Sequence, residues 1–207
     1  MAPYGRCWLM QSETELRNTS RAHKRLMNKA LHYLGRYQAS QQKLRQTLRQ
    51  FARRKLLKDE VTDADEAAIA RAIEDVIALC CDYGYVDDSR LATAKAHSAV
   101  LSGVSRRRLS QKLQQMGIDE DTRTAALHTQ NSDWTDPELA AGLTFARKKK
   151  CGPFGPEVTF EEKQKQMAKL ARAGFSLDLI KQILELSTAQ EAEDLLAAAQ
   201  TPPDEPF

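Results

Sequence analysis

Residues 80 to 92 read CCDYGYVDDSRLA and bring together side chains that can do chemistry: the thiols of Cys80 and Cys81, the phenols of Tyr83 and Tyr85, and the adjacent carboxylates of Asp87 and Asp88. A carboxylate pair can serve acid–base chemistry or hold a cation when a base, a nucleophile or further ligands converge on it. The sequence supplies no recognisable partner of that kind. Both acids are well placed to start a helix, Asp87 as N-cap and Asp88 in the first turn, where its charge meets exposed amides and the positive end of the helix dipole. Gly84 suits the left-handed position that closes a preceding helix, with Tyr85 or Val86 packing back onto it. The stretch is therefore read as a joint between two helices.

The rest of the chain offers no stronger chemistry. Cys7, Cys80, Cys81 and Cys151 fall into no C-x-x-C or Cys/His ligand spacing and are expected as reduced thiols, mostly core filler. His23, His32, His97 and His128 are scattered, and ligation needs convergent neighbours. There is no GxxxxGK[ST], GxGxxG, HExxH or GxSxG pattern. No catalytic residue, metal ligand or cofactor is expected, and the chain is read as a non-enzyme.

Helix formers dominate, and no run of alternating β-branched residues stands out, so the class is all-α. A basic helix is expected from about Thr19 to Tyr37. Ser40 caps the next, with Leu44, Leu48 and Phe51 on one face. Asp63-x-x-Glu66 reads as a capping box opening a helix with Ile69, Ile73, Val76, Ile77 and Cys80 at helical spacing. Farther on, Ser105 caps a helix with Leu109, Leu113 and Met116 inward. Asp136-Pro137 opens another, CGPFGPEV interrupts it, and Thr159-x-x-Glu162 restarts it toward Met167 and Leu170. A final core helix is expected to present Leu177, Ile180, Ile183 and Leu184, and Thr188-x-x-Glu191 to cap one more.

The joint recurs. LCCDYGYVDD, LQQMGIDED and LARAGFSLD each place a glycine (Gly84, Gly117, Gly174) after an apolar helix, then an apolar anchor (Tyr85, Ile118, Phe175), then a cap (Asp87, Asp119, Ser176). Recurrence suggests an elongated tandem array of three degenerate three-helix repeats. The expected divisions are a flexible basic tail over 1–18, repeats over 19–84, 85–130 and 131–187, and a short helix with a tail over 188–207.

Net charge is +3 over 207 residues, and its distribution says more than its sum. Residues 1–58 carry 14 Lys/Arg against 2 Asp/Glu, and 59–94 carry 2 against 10; the alternation then repeats with smaller swings. One basic cluster falls in each repeat: Arg45, Arg49, Arg53, Arg54 and Lys55; Arg106, Arg107, Arg108 and Lys112; and Arg147, Lys148, Lys149 and Lys150. Two readings stand for them: solvated helix faces balanced by acidic neighbours, or a line of patches following a polyanion. Aromatic content of 6% argues against a stacking platform for single strands. No window approaches the ~20 apolar residues of a membrane span, and MAPYGRCWLM lacks a signal-peptide pattern. A soluble, cytoplasmic chain is expected.

Three segments together carry a resemblance. ALHYLGRYQASQQKLRQTL (Ala30–Leu48), GYVDDSRLATAKAHSAVLSGVSRRRLSQKLQQMGID (Gly84–Asp119) and KQKQMAKLARAGFSLDLIKQIL (Lys163–Leu184) are similar to the tandem helical units of the RecX family of bacterial recombination regulators. The chain departs from the usual pattern in RQFARRKLLKDEVTDADEAA and in its basic amino-terminal extension. The resemblance implies a modulator that binds RecA, lodges in the groove of the RecA filament on DNA, and suppresses its ATPase, strand-exchange and coprotease activities. It places the chain in homologous recombination, DNA repair and the SOS response, as a monomer with at most weak, sequence-blind DNA contact. Two rivals differ in kind: a helical DNA-binding regulator acting without RecA, and a helical-repeat adaptor for another protein.

Overall fold

The computed structural model describes residues 21–55, 66–156 and 159–202. Cys7, Asp63 of the first capping box and most of both expected tails lie outside them. Every regular element among the described residues is helical. Residues 21–34 form α1. Then follow α2 (Gln41–Lys55), α3 (Glu66–Asp82), α4 (Asp88–Ser102), α5 (Arg106–Gln115), α6 (Glu120–Asp133), α7 (Pro137–Lys149), a 3₁₀ turn (Gly152–Phe154), α8 (Phe160–Arg172), α9 (Leu177–Glu185) and α10 (Ala189–Gln200).

The helices begin where short polar side chains can take orphan amides. Ser40 Oγ accepts from Lys43 N, Ser105 Oγ from Arg108 N, Asp119 from Thr122 N, Asp136 from Leu139 N, and Ser176 Oγ from Leu179 N. Thr159 and Glu162 close a reciprocal capping box at α8. Thr188 opens α10 in the expected place, but that helix does not trail away. It packs on α7 and places Ala192, Leu196 and Ala199 in a core.

The glycine joints share one hydrogen-bond pattern. Gly84, Gly117 and Gly174 have φ of 69°, 75° and 96°, and Tyr85 N, Ile118 N and Phe175 N reach back to the carbonyls of Cys80, Leu113 and Leu170. That is the Schellman closure, and the left-handed residue it needs is cheapest as glycine. Gly103 ends α4 in the same way, and Lys150, with φ of 51°, ends α7 without a glycine.

Their order alters the repeat reading. Gly117 and Gly174 each separate the second and third helices of a repeat, whereas Gly84 separates a third helix from the first helix of the next. The uneven spacing of the three glycines follows directly. In the first joint the extra residue also moves the anchor: Val86 is buried and Tyr85 is exposed, because the bend turns the phenol outward beside Tyr83. Leu177 is exposed too, contrary to expectation. As the first residue of α9 it lies off the inward stripe, and Leu179 takes the buried place.

The apolar stripes close three separate cores. Leu26, Leu44, Leu48, Val76 and Cys80 belong to one, Leu91, Leu109, Leu113 and Ile118 to another, and Leu143, Leu170, Phe175, Ile180 and Ile183 to the third. Leu44, Leu48, Leu113, Leu170 and Ile180 are fully buried. Each such side chain contributes roughly 1.5–3 kcal/mol, so each core rests on a handful of residues. By compactness the chain divides into Met1–Asp88 and Ser89–Phe207, the second holding the latter two cores.

Candidate functional site

The acids that open α4 and α7 serve helices other than their own. Asp88 Oδ1 accepts from Gln41 N, the first amide of α2, at 3.0 Å. Glu138 Oε2 accepts from Arg106 N, the first amide of α5, at 2.8 Å. Each completes a start already capped by a fully buried serine, Ser40 or Ser105. Burial pushes the Glu138 carboxyl above its ordinary range, against the lowering effect of that hydrogen bond. Asp88 thus has a capping role, and its reach to a distant helix was not legible in the sequence. Among the described residues no group of three or more His, Cys, Asp or Glu side chains is arranged to hold a metal ion.

The thiols lie in apolar surroundings. Cys80 and Cys151 are buried and Cys81 is half-buried; all three are free, and burial raises their pKa values. A thiol held protonated in this way is a poor nucleophile.

The three basic clusters differ sharply in how far the chain neutralises them. In the first, Arg45 forks onto Glu74 at 2.8 Å and Arg49 approaches the same carboxylate at 3.7 Å. The hydrogen bonds from Arg45 hold Glu74 below the usual carboxylate range. Arg53, Arg54 and Lys55 are exposed at the end of α2 and pair with no carboxylate among the described residues.

In the third cluster Arg147 meets Glu193 at 3.0 Å. Lys148 Nζ donates to the carbonyls of Leu101 and Ser102, completing the end of α4. Lys149 and Lys150 remain exposed. Lysine at the left-handed position is chosen over glycine there, and its charge sits where the end of the helix dipole is negative.

The second cluster is the most open. Arg106 is drawn inward, its guanidinium donating to Leu127 O. Arg107, Arg108 and Lys112 are exposed, and none meets a carboxylate among the described residues. Arg107 and Arg108 line a cleft of about 320 Å³ with Gln111 of α5 and Ala171, Arg172, Ala173 and Gly174 at the end of α8.

The floor of the cleft is a tight seam. Ser105 Oγ donates to Ala173 O at 2.7 Å, and a Cβ added to Gly174 would lie 2.6 Å from Ser105 Oγ and 3.5 Å from Arg107 Cβ. One arginine lining the cleft was not singled out in the sequence. Arg172 stands apart from the adjacent basic runs, although Lys165, Lys169 and Arg172 share helical spacing. Glu138, whose carboxylate meets Arg106 N, was not singled out in the sequence either.

Family models for "RecX, second three-helix domain" and "RecX, third three-helix domain" match residues 87–127 and 138–184, which span α4, α5 and the first half of α6, and nearly all of α7–α9. Among curated relatives, the chain is 33% identical to "Regulatory protein RecX" of Agrobacterium fabrum, over 87% of its own length and 92% of the relative's. The chain belongs to the RecX family. The Myxococcus xanthus member is 31% identical, over 79% of this chain and 86% of its own. A crystal structure of RecX from Lactobacillus salivarius matches with a TM-score of 0.59 over 84% of this chain and 98% of that one, at 19% identity. That likeness shows the fold, an all-α repeat fold shared with the RecX family. Family members are regulatory proteins by name, and no described helix is long and apolar enough to cross a membrane.

Proposed function

We propose that this chain regulates RecA: it binds RecA and the RecA filament on DNA and lowers the filament's ATPase, strand-exchange and coprotease activities. The observation that carries this reading is membership of a family of regulatory proteins through a match over most of both chains. The exposed cations agree with it. Arg53, Arg54 and Lys55, then Arg107, Arg108 and Lys112, then Lys149 and Lys150, present charge from successive repeats. Several weak contacts to one polymer gain through effective concentration. The chain acts in this reading as a cytoplasmic monomer, without a cofactor.

The test is DNA-dependent ATP hydrolysis by RecA, titrated with the purified chain below stoichiometry. Loss of hydrolysis that excess DNA does not restore is the expected result. Restoration by excess DNA would point to a DNA-binding regulator that merely competes for the template. No effect on RecA at any ratio would point to an adaptor for some other protein.

A further inference from the structure

We infer that the cleft between the start of α5 and the end of α8 is a subsite for the phosphodiester backbone of a polynucleotide, gripped by Arg107 and Arg108 from one wall and Arg172 from the other. It rests on the reading above in treating the basic clusters as contact surface. It goes further in choosing nucleic-acid phosphate over an acidic protein face for this cleft, and in adding Arg172.

Charge is the first ground. Arg107 and Arg108 have no ion pair among the described residues, and Arg172 spends only its Nε, on Ala168 O of its own helix. Its terminal nitrogens stay available. The nearby carboxylate of Glu138 is already engaged with Arg106 N. The amides of Arg106 and Arg108 are both taken from within the chain, so an incoming anion would be met chiefly by guanidinium groups. Guanidinium forks match the paired oxygens of a phosphate.

Rigidity is the second. The buried bond from Ser105 Oγ to Ala173 O, and the close approach of Gly174 to Ser105 Oγ, fix the two walls before any ligand arrives. Less ordering is then left to oppose binding.

Lining is the third. Apart from arginine the cleft presents glutamine, alanine and glycine, with no aromatic or large aliphatic side chain. Protein interfaces take most of their affinity from Trp, Tyr and Arg anchors seated in well-packed, desolvated pockets, whereas Arg107, Arg108 and Arg172 are exposed, and base recognition on single strands uses aromatic stacking. Neither is offered here. What remains is charge-based, sequence-blind recognition of a backbone.

The experiment is fluorescence anisotropy of a labelled oligothymidylate 30-mer with the full chain, in the absence of RecA, across a salt titration. Arg172→Gln and the double variant Arg107→Gln/Arg108→Gln should each weaken binding about three- to tenfold at low salt. Each lost contact should flatten the plot of log affinity against log salt by about 0.7. Lys181→Gln, on exposed α9 surface outside the cleft, should change neither, and thermal melts by circular dichroism should show all variants folded.

Unchanged affinity and slope in both arginine variants would overturn the inference. So would displacement of the 30-mer by polyglutamate or inorganic phosphate as readily, charge for charge, as by unlabelled oligonucleotide. Failure of the wild-type chain to inhibit RecA would remove the functional reading and leave these binding results standing.

Discussion

The carboxylate of Asp88 closes the first backbone amide of α2, at Gln41, across 47 positions of sequence. Glu138 does the same for α5 at Arg106, across 32. In both cases a buried serine caps the second helix of a repeat, and an acid from the first turn of the following repeat completes the cap. An acid at a helix start is ordinarily read as serving its own dipole; here each serves two helix starts at once.

Removal of that carboxylate should cost what a lost cap costs. Asp88→Ala is expected to destabilise the protein by about 1 kcal/mol, read as a lower urea midpoint at unchanged slope. Asp88→Asn keeps an acceptor for the Gln41 amide and should lose much less than Asp88→Ala. If the two variants fall equally, charge and not the hydrogen bond explains the contact.

Glu138 gives a pH signature of definite sign. Its folded pKa is raised by burial, so the folded chain holds the proton more tightly than the unfolded one. Its contribution to stability is full below the ordinary glutamate range and declines as pH rises through the raised value. Wild type should therefore gain on Glu138→Gln as pH falls from about 7 to about 5. Glu74 has a lowered pKa, and its contribution is lost only as pH falls through that lower value, below this window. A stability difference independent of pH, by urea titration at several pH values, would refute the assignment.

Two of the joint glycines should respond differently to one methyl group. A Cβ at Gly84 meets nothing within 4 Å, so Gly84→Ala should show only the left-handed backbone cost, about 1–2 kcal/mol. At Gly174 the same Cβ also runs into Ser105 Oγ. Gly174→Ala should cost clearly more, and Ser105→Ala in the same chain should recover part of the excess. Equal losses at the two glycines, with no coupling to Ser105 in a double-mutant cycle, would show the seam to be loose.

The basic clusters should rank by how far the chain already neutralises them. Arg107→Gln with Arg108→Gln is expected to weaken inhibition of RecA ATP hydrolysis more than Arg45→Gln with Arg49→Gln, since Glu74 already occupies the latter pair. The reverse order at equal folded concentration would move the contact surface to the first repeat.

Local chemistry made much of this molecule legible from its residues. Ser40, Ser105, Asp119, Asp136, Thr159, Ser176 and Thr188 announce helix starts by side-chain type, and glycine announces the closures, because those signals act over three to six residues. Leu177 and Tyr85 misled for a related reason: a residue at a helix end or beside an insertion departs from ideal periodicity by a fraction of a turn. The reach of Asp88 to Gln41 and of Glu138 to Arg106, and the meeting of Arg107 with Arg172, depend on how whole helices pack. No local pattern encodes that. For the same reason the pairing of Arg45 with Glu74 could not be told in advance from an open cationic face.

The capping box of Thr159 and Glu162 sets α8 apart from α2 and α5. Glu162 comes from α8 itself, and among the described residues no carboxylate from another element reaches that helix start. The full caps of α2 and α5 therefore need the first turn of α4 and of α7 in place, whereas that of α8 is complete within its own first turn. The start of α8 is thus self-sufficient, while those of α2 and α5 borrow a group from farther along the chain.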